Sequence, residues 1–290
     1  MKILATVHAF HPAIWPEIAA GLRRVDAPCD IVVTVPEAAS FVPIIRNDFP
    51  SAQILFCENR GFDIWPFFKV LDTMGLSSYT HVLKLHTKRD VHRDPPMVFN
   101  AFNYEGPRWR NALLDIISSE DTVAKCRSLF ARDPTVTMIA GRDVILRRRD
   151  VDSPAVRKTF DDALRYAATE FNIRPHKPEF VAGTMFFAKA EIFRPFLGRF
   201  SADDFAVSAK DDTIVTRAHL LERVIGFAAC AAGRIADPED SMRWRHLKSD
   251  LHAFAAPIQK FLYQSKTTRN GAKIVKVCRI PVWHANGAGR

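Results

Sequence analysis

The chain has 290 residues, and 41 Lys plus Arg against 32 Asp plus Glu give a formal net charge of +9 at pH 7. Apolar residues make up 48% and charged residues 25%, which fits one or two folded domains and excludes a disordered chain. The positive charge excludes an acidic solvating tail and favours an anionic partner: a nucleotide, a nucleic acid or a phospholipid surface.

The sequence predicts neither a membrane span nor a cysteine-based site. Its most apolar stretch, residues 224–233, is far shorter than the roughly 18–20 residues of a membrane span. No small-residue cleavage site follows residues 1–8, which disfavours a secretory signal. The five cysteines are scattered without a C-x-x-C pair, so we expect reduced thiols in a cytoplasmic protein.

Short apolar runs and amphipathic segments alternate through the N-terminal part of the chain. The apolar runs predict buried strands at residues 3–9, 30–35, 52–57 and 80–86. The segments with apolar residues at helical spacing predict helices at residues 13–25 and 64–74. Strands that alternate with helices indicate βαβ units and a parallel sheet.

The remainder of the chain is predicted to continue this core and to end in a basic, aromatic extension. Further helices are predicted at residues 109–117, 121–130, 159–171 and 212–225, the last ended by Gly226. Further strands are predicted at residues 136–140 and 180–188, the second with a glycine turn inside it. Residues 95–107 indicate a loop, and residues 147–154 a charged, exposed connector. We therefore expect a core at residues 1–232 and an extension at residues 233–290 that packs on the core or on a membrane.

Chemically active side chains follow three predicted strands, at the carboxyl ends where ligands bind in an open α/β sheet. His8 follows the first strand, residues 58–63 follow the third, and residues 86–90 follow the fourth. Lys84 shares one face of its strand with His86, and an unpaired ammonium group is costly to bury. Two interpretations stay open: a diphosphate site at this sheet edge, or an edge strand with one face in solvent.

The common nucleotide and hydrolase motifs are absent. The sequence has no G-x-G-x-x-G, Walker A, G-x-S-x-G or H-E-x-x-H string, which disfavours a dinucleotide-binding fold, P-loop chemistry and the common hydrolases. Gly183 and Thr184 indicate a bulge against which a ligand lies, or a bend needed only for packing. Asp212 indicates a helix N-cap, or a general base beside a site. The D-x-D string at residues 150–152 is disfavoured as a metal site.

Four sequence blocks are more specific than any of these motifs. They are residues 8–17 (HAFHPAIWPE), 58–68 (ENRGFDIWPFF), 83–89 (LKLHTKR) and 182–188 (AGTMFFA). Together with Trp109-Arg110 and residues 219–223 (HLLER), they resemble the rhamnan synthesis protein F family of bacterial polysaccharide-assembly proteins, over residues 5–226. The resemblance implies an α/β, GT-A-like (Rossmann-like) fold, with a mostly parallel sheet flanked by helices and a C-terminal extension.

The resemblance also implies a glycosyltransferase of the cell envelope. It would move rhamnose or a related deoxy- or hexose sugar from a nucleotide-diphosphate donor, with dTDP-L-rhamnose as the leading expectation, to a growing surface polysaccharide with inversion. The acceptor would be a free or lipid-linked glycan at the inner face of the cytoplasmic membrane. The alternative is a catalytically inactive scaffold of a polysaccharide assembly complex. Nucleic-acid binding is disfavoured, because no recognition motif is present.

Site residues follow from the resemblance, position by position. The donor-binding residues would be His8, Asn59, Arg60, Asp63, Lys84, His86 and Lys88. The acceptor or sugar residues would be Trp109, Arg110, Gly183, Thr184 and His219. Asp212 or Asp211 would be the catalytic base, and the choice between them stays open.

Metal and membrane binding are further expectations. Where GT-A enzymes carry a metal-binding D-x-D, this chain has residues 86–88 (HTK), so no metal ligand is predicted. Mg²⁺ or Mn²⁺ stays open, and basic side chains would otherwise neutralise the diphosphate. These are Lys84, Lys88, Arg60 and Arg89. The basic C-terminal residues are expected to form either a solvated subdomain or a peripheral contact with anionic lipid.

Overall fold

The computed structural model describes residues 1–37, 39–90, 98–99, 102–103, 106–151, 154–207, 216–242, 263–267, 273–277 and 280–285. The chain divides into two compact units, Met1–Asp240 and Ser241–Arg290. None of the described helices has the length and apolarity that crossing a bilayer requires.

The first unit alternates strands and helices along most of its length. In chain order its elements are β1 (Ile3–His8), α1 (Trp15–Arg23), β2 (Cys29–Val35), α2 (Val42–Asp48), β3 (Gln53–Phe56), α3 (Ile64–Met74), β4 (His81–His86), β5 (Val98–Phe99), β6 (Phe102–Asn103), α4 (Arg108–Leu114), α5 (Glu120–Arg132), β7 (Val136–Ile139), β8 (Ile145–Arg147), α6 (Pro154–Glu170), β9 (Glu179–Val181), β10 (Phe186–Lys189), α7 (Arg217–Ala232) and β11 (Arg234–Ala236). Several 3₁₀ turns connect these elements, among them Asp115–Ile117 directly after α4.

Seven of these strands form one mixed sheet in the order β11-β7-β10-β4-β1-β2-β3. All neighbours pair in parallel except β10, which is antiparallel to both β4 and β7. The predicted α/β class with a mostly parallel, helix-flanked sheet is confirmed. The small pairs β5-β6 and β8-β9 lie outside this sheet.

Strand β4 lies in the middle of the sheet, between β1 and β10. The prediction of an edge strand is therefore wrong for β4, because both of its sides are hydrogen-bonded to neighbours. Its burial follows from this position, and Lys84 is only 1% exposed.

Aromatic side chains from the helices fill much of the core against the sheet. Phe67 of α3 contacts Phe186 of β10 and Phe193, with ring centroids 6.0 and 5.2 Å apart. Phe160 of α6 contacts Phe227 of α7 at 4.9 Å. Burial of such rings contributes the largest apolar areas of a core, so these contacts help to hold α3 on the sheet and α6 on α7.

The structure corrects three local predictions. Residues 180–188 form two strands, β9 and β10, in different sheets rather than one strand with an internal turn. Residues 147–154 are not a wholly exposed connector, because Asp150 is buried and accepts hydrogen bonds from the backbone N and Nε of Arg147, at 2.8 and 2.9 Å. Most of the predicted loop at 95–107 lies outside the described residues, which include the antiparallel β5-β6 pair.

Helix α7 differs from its prediction at both ends. It begins at Arg217 with Thr216 as its N-cap, so Asp212 does not cap it, and residues 208–215 lie outside the described part. It continues through Gly226 to Ala232. A Cβ at Gly226 would overlap the backbone of Phe180 and Glu179. Gly226 therefore allows α7 to pack closely on β9 and does not end the helix.

The boundary between the two compact units falls after Asp240. Strand β11, which the expected boundary after residue 232 would detach, pairs with β7 inside the large sheet. The second unit contains three antiparallel strands, β12 (Tyr263–Thr267), β13 (Lys273–Val277) and β14 (Ile280–Ala285). The basic residues expected to contact lipid there have no described side chains. They are Lys248, His252, Lys260, Lys266, Arg269, Lys273 and Lys276.

Candidate functional site

The sheet places two histidines side by side at the carboxyl ends of neighbouring strands. His8 is the last residue of β1, His86 is the last residue of β4, and the two are partners in the register. From β1 the chain adds β2 and β3 on one side and β4 on the other, so the strand order reverses here. Open α/β sheets bind ligands in the crevice outside such a switch point. The sheet edge at His8 and His86 is called the crevice below.

A buried ion pair lies directly beneath this crevice. Lys84 Nζ donates to Asp63 Oδ2 and, at 2.9 and 3.1 Å, to the hydroxyl and carbonyl oxygens of Thr184. An ammonium group has three donors, and all three are used. Lys84 therefore links the loop before α3 to the turn before β10.

Asp63 connects the ion pair to the histidines. Its Oδ2 also accepts from the Thr184 hydroxyl and lies 3.1 Å from His86 Nδ1. Burial opposes ionisation of Asp63, but its contacts with His86 and Lys84 outweigh burial and hold the pKa of Asp63 well below its usual range. Burial lowers the pKa of Lys84, against the opposing charge of Asp63.

The two histidines are neutral at pH 7. Burial lowers the pKa of His8 to about 3, and His8 Nδ1 lies 3.0 Å from Thr34 Oγ1. Burial also lowers the pKa of His86, although Asp63 opposes the shift. Because Nδ1 of His86 faces an ionised carboxylate, we assign its proton to Nδ1, which makes Nε2 an acceptor.

Nε2 of His86 is a buried polar atom that needs a partner. Neither Nε2 nor Nδ1 of His86 forms a hydrogen bond with a described residue, and Nδ1 approaches Asp63 Oδ2 only as an ionic contact at 3.1 Å. Buried polar groups in folded proteins are nearly always paired with protein, water or ligand. An acceptor at this point suits a hydroxyl group better than a phosphate oxygen, because both oxygen and Nε2 would present lone pairs in the second case.

The rim of the crevice is cationic. Thr87 Oγ1 accepts from the backbone N of Phe10 and of His11, both at 2.8 Å, which ties the loop after β1 to the loop after β4. Burial and the positive charges of Arg89 and Lys88 lower the pKa of His11 to about 4. Neither Lys88 nor Arg89 forms an ion pair with another described residue. Two uncompensated cations beside a helix-flanked crevice favour an anionic ligand.

Strained backbone positions Asp63 and Thr184 around Lys84. Phe62 and Thr184 adopt positive φ angles of 56° and 51°, and the preceding Gly61 and Gly183 adopt 59° and 79°. A non-glycine residue there costs of order 1–3 kcal/mol, and such strain clusters at functional sites. In the pair Gly183-Thr184, the second residue contacts Lys84 directly. In the pair Gly61-Phe62, the second residue directly precedes Asp63.

Three of the predicted donor residues lie outside the buried Lys84–Asp63 pair and its direct contacts. Arg60 Nη1 donates to the carbonyl of Phe205 at 3.1 Å, and its backbone bridges to Val207, so Arg60 holds the segment before residue 208. Asn59 is exposed, and Lys88 is part of the cationic rim. Asp211 and Asp212, the expected base, lie outside the described residues.

Of the predicted acceptor residues, Trp109 is buried, whereas Arg110 and His219 are paired with other polar groups. Trp109 is only 4% exposed and packs beneath Gly183, so its ring offers no open face for a sugar. Arg110 is paired with Glu17, at 2.8 Å, and with Asp90. His219 Nδ1 accepts from the backbone N of its N-cap residue at 3.2 Å, and its ring contacts Phe62.

Three contributors were not among the predicted site residues. Thr34 contacts His8, Thr87 joins two loops, and the charge of Glu222 raises the pKa of Lys84. Thr34 is the register partner of His8, so a correct pairing of β1 with β2 would have found it. No comparable local signal exists for Glu222, which reaches the site from α7.

Among the described residues, no group of three His, Cys, Asp or Glu side chains is arranged to hold a metal ion. Residues 86–88 contribute an imidazole, a hydroxyl and an ammonium group to the crevice.

Comparison with known proteins gives distant matches. Two proteins named uncharacterized protein WxcX, from Xanthomonas campestris pv. campestris strains B100 and ATCC 33913, are each 27% identical over 242 residues. These matches cover 81% of this chain and 32% of each relative, so the chain spans about a third of their length. A solved structure, 4-diphosphocytidyl-2C-methyl-D-erythritol synthase, aligns with 70% of this chain and 81% of its own, at 12% identity and a TM-score of 0.34.

The family comparison is more extensive. The profile of the family described as rhamnan synthesis protein F matches residues 1–234, which contain the whole crevice. This confirms the resemblance that the four sequence blocks indicated. The chain belongs to the rhamnan synthesis protein F family.

Proposed function

We propose that the protein is a glycosyltransferase that takes a sugar from a nucleotide-diphosphate donor and adds it to a bacterial polysaccharide. The family indicates a part in rhamnan or polysaccharide synthesis. The observation that carries the proposal is the crevice at the switch point between β1 and β4, where two neutral histidines lie beside two uncompensated cations. dTDP-L-rhamnose is the leading donor.

The cationic rim and the histidines would bind different parts of the donor. Lys88 and Arg89 supply positive charge for the diphosphate, which carries growing negative charge as the sugar leaves. His86 accepts a hydrogen bond from a hydroxyl group of the donor through Nε2. Lys84 does not contact substrate in this scheme, since its three donors are used by Asp63 and Thr184.

The proposed reaction is a single displacement. An acceptor hydroxyl oxygen attacks the anomeric carbon, a new C–O bond forms, and the bond from that carbon to the diphosphate oxygen breaks. The hydroxyl proton passes to the carboxylate of Asp212 or Asp211, and the nucleoside diphosphate leaves with the bonding electron pair. Attack from the face opposite the leaving group inverts the anomeric configuration.

A thermal-shift titration with nucleotides and nucleotide sugars tests the donor site, with EDTA in one arm and Mn²⁺ in another. A ligand at 100 times its Kd adds about 2.7 kcal/mol of stability. We expect one nucleotide-diphosphate family to stabilise the protein. The Lys88→Ala variant should lose most of that stabilisation, whereas Lys177→Ala, at an exposed lysine outside the crevice, should keep it.

Two outcomes would contradict the proposal. If no nucleotide stabilises the wild-type protein, the inactive scaffold becomes the better interpretation. If nucleotides bind but purified protein neither transfers nor hydrolyses the sugar with any acceptor, the fold retains binding without catalysis. Stabilisation only in the Mn²⁺ arm would mean that metal, not Lys88 and Arg89 alone, neutralises the diphosphate.

A further inference from the structure

A second cavity opens at the same edge of the sheet as the crevice. It has a volume of about 770 Å³ and is lined by Arg108, Asn111, Ala112, Asp115, Arg142 and Asp143. This volume falls within the range of about 300–1,000 Å³ that is typical of ligand pockets. None of these residues belongs to the donor crevice.

The first wall of the cavity is one face of α4 and of the 3₁₀ turn after it. Arg108, Asn111 and Asp115 recur at helical spacing, so they project from the same face. A neighbouring face of α4 carries Trp109 and Leu113, which pack against Gly183. Helix α4 therefore stands between the cavity and the turn that holds Thr184 on Lys84.

The second wall is the loop after β7. A Cβ at Gly141 would overlap the carbonyl oxygen of Ala112, so this loop packs directly on α4. The backbone N–H of Arg142 donates to the carboxylate of Asp115. Arg142 Nε also lies 3.8 Å from Asp237, which is fully buried after β11. The two walls are thus held in a fixed relation by backbone packing and charge.

The sheet brings this cavity close to the crevice. Since β10 is antiparallel to both β4 and β7, the strands β4 and β7 run parallel and end at the same edge. Neighbouring strands are about 4.8 Å apart, so the ends of β4 and β7 are separated by about 10 Å. The cavity and the crevice therefore open at the same edge of one sheet, on either side of β10.

The lining indicates the chemistry of the ligand. Among the described lining residues two arginines balance two aspartates, which favours neither a phosphate nor a metal cation, although the whole chain carries +9. Guanidinium and amide groups donate hydrogen bonds, and carboxylates accept them. Sugar hydroxyls do both. Burial raises the pKa of Asp115, and the charges of Asp143 and Asp237 raise it further, which is typical of carboxylates grouped in a site.

We propose that this cavity binds a sugar unit of the acceptor glycan, a neutral polyhydroxyl ligand, a role that rests on the proposed transferase function. The donor would then occupy the crevice at β1 and β4, and the acceptor would reach it across α4. The acceptor subsite is formed by Arg108, Asn111, Asp115, Arg142 and Asp143.

Calorimetric titration with rhamnan oligosaccharides tests the subsite without any need for turnover. We expect Arg108→Ala and Asp143→Asn to weaken binding about tenfold each, because each removes a charge-assisted hydrogen bond to a hydroxyl. The matched control is Arg132→Ala, at an exposed arginine on α5, which should bind like the wild type. All three variants should keep the thermal shift with dTDP, which reports the donor crevice.

The outcomes separate this proposal from the transferase proposal. Equal oligosaccharide affinity in the wild type and both cavity variants overturns the subsite, whatever dTDP does. So does a wild-type affinity weaker than about 10 mM for every oligosaccharide. Weakened oligosaccharide binding in the cavity variants, together with no response to any nucleotide, keeps the subsite and overturns the donor function.

Discussion

Lys84 shows how one residue can determine whether the candidate site forms. Its ammonium group is buried in the middle of a sheet, where an unpaired charge would cost several kcal/mol. Asp63 and Thr184 remove that cost by using all three of its donors. In return Lys84 fixes both of them, and Asp63 lies 3.1 Å from His86 Nδ1. The site therefore depends on a charge that does not itself contact ligand.

Replacement of Lys84 tests this dependence. Lys84→Ala leaves the Asp63 carboxylate without its main partner, and breaking a buried pair in this way costs about 3–5 kcal/mol. We expect that loss in the free energy of unfolding measured with urea. Lys177→Ala, at an exposed position, should stay within about 0.5 kcal/mol of the wild type. A loss below about 1 kcal/mol for Lys84→Ala would mean that solvent or His86 compensates Asp63.

His8 makes stability depend on pH. Its pKa is lowered from 6.5 to about 3 by burial, so below pH 6.5 the unfolded chain binds a proton that the folded chain refuses. The free energy of unfolding should therefore be constant above pH 6.5 and fall below it, by about 1.4 kcal/mol per pH unit from this group. Asp63, whose pKa is lowered, adds to the loss in the same direction once the pH falls below 3.8.

The variant His8→Gln separates the contribution of His8 to the pH dependence of unfolding from the contributions of other titratable groups. Its unfolding free energy should fall less steeply than that of the wild type between pH 6.5 and 4, as measured by urea titration at each pH. His176→Gln is the matched control, because His176 is exposed, and its slope should equal that of the wild type. Identical slopes for His8→Gln and the wild type would refute the assignment of a buried, neutral His8.

At the scale of elements, the turn between β9 and β10 decides how the site is assembled. Gly183 lies at φ 79°, and a Cβ there would collide with Trp109 and Leu113 of α4. The turn thus holds Thr184 towards Lys84 on one side and supports the wall of the second cavity on the other. A change in this turn should disturb both binding sites together.

Two alanine substitutions distinguish backbone strain from packing. Gly183→Ala adds positive-φ strain and a collision, whereas Gly198→Ala, at φ 64° with no atom near its Cβ, adds the strain alone. We expect Gly198→Ala to cost about 1 kcal/mol and Gly183→Ala to cost about 1–3 kcal/mol more, as measured by thermal unfolding. Only Gly183→Ala should weaken nucleotide binding. Equal costs for the two variants would show that α4 moves aside freely.

At the scale of the whole molecule, the chain consists of two units with separate sheets. Both candidate sites lie within Met1–Asp240, whereas the basic C-terminal residues belong to Ser241–Arg290. Ligand binding and any contact with anionic lipid are therefore expected to be separable. Basic segments are attracted to anionic lipid by about 1 kcal/mol per Lys or Arg near the surface.

A chain shortened to residues 1–240 tests this separation. It should unfold cooperatively and keep the thermal shift with nucleotide, because the large sheet and its helices are complete in it. It should sediment less with vesicles of anionic phospholipid than the full chain does, and added salt should release the full chain. Equal sedimentation of the two chains would contradict a lipid contact by the second unit.

Much of the fold could be predicted from local pattern. Helix α3 has the predicted bounds, and β1 to β4 each lie at or within a residue of the predicted runs at one or both ends. Because one face of each element is buried, apolar residues recur about every 3.6 residues in a helix and every two residues in a strand. This periodicity makes the elements recognisable in the sequence. The strand-end positions of His8 and His86 follow from the same periodicity. The family resemblance rested instead on four specific sequence blocks, and the profile match confirms it.

The sequence by itself therefore determined β1 to β4, α1 and α3, the class of fold, the family and the strand ends at which the candidate ligand-binding residues lie. Only the tertiary structure decided that β10 enters the sheet antiparallel between β4 and β7, and that Asp63 and Thr184, 121 residues apart, meet on one ammonium group. It also decided that Trp109 is buried and that α4 has a polar face on a second cavity. The physical reason is that periodicity records which face of an element is buried, whereas strand order and long-range pairing depend on how all the elements pack together.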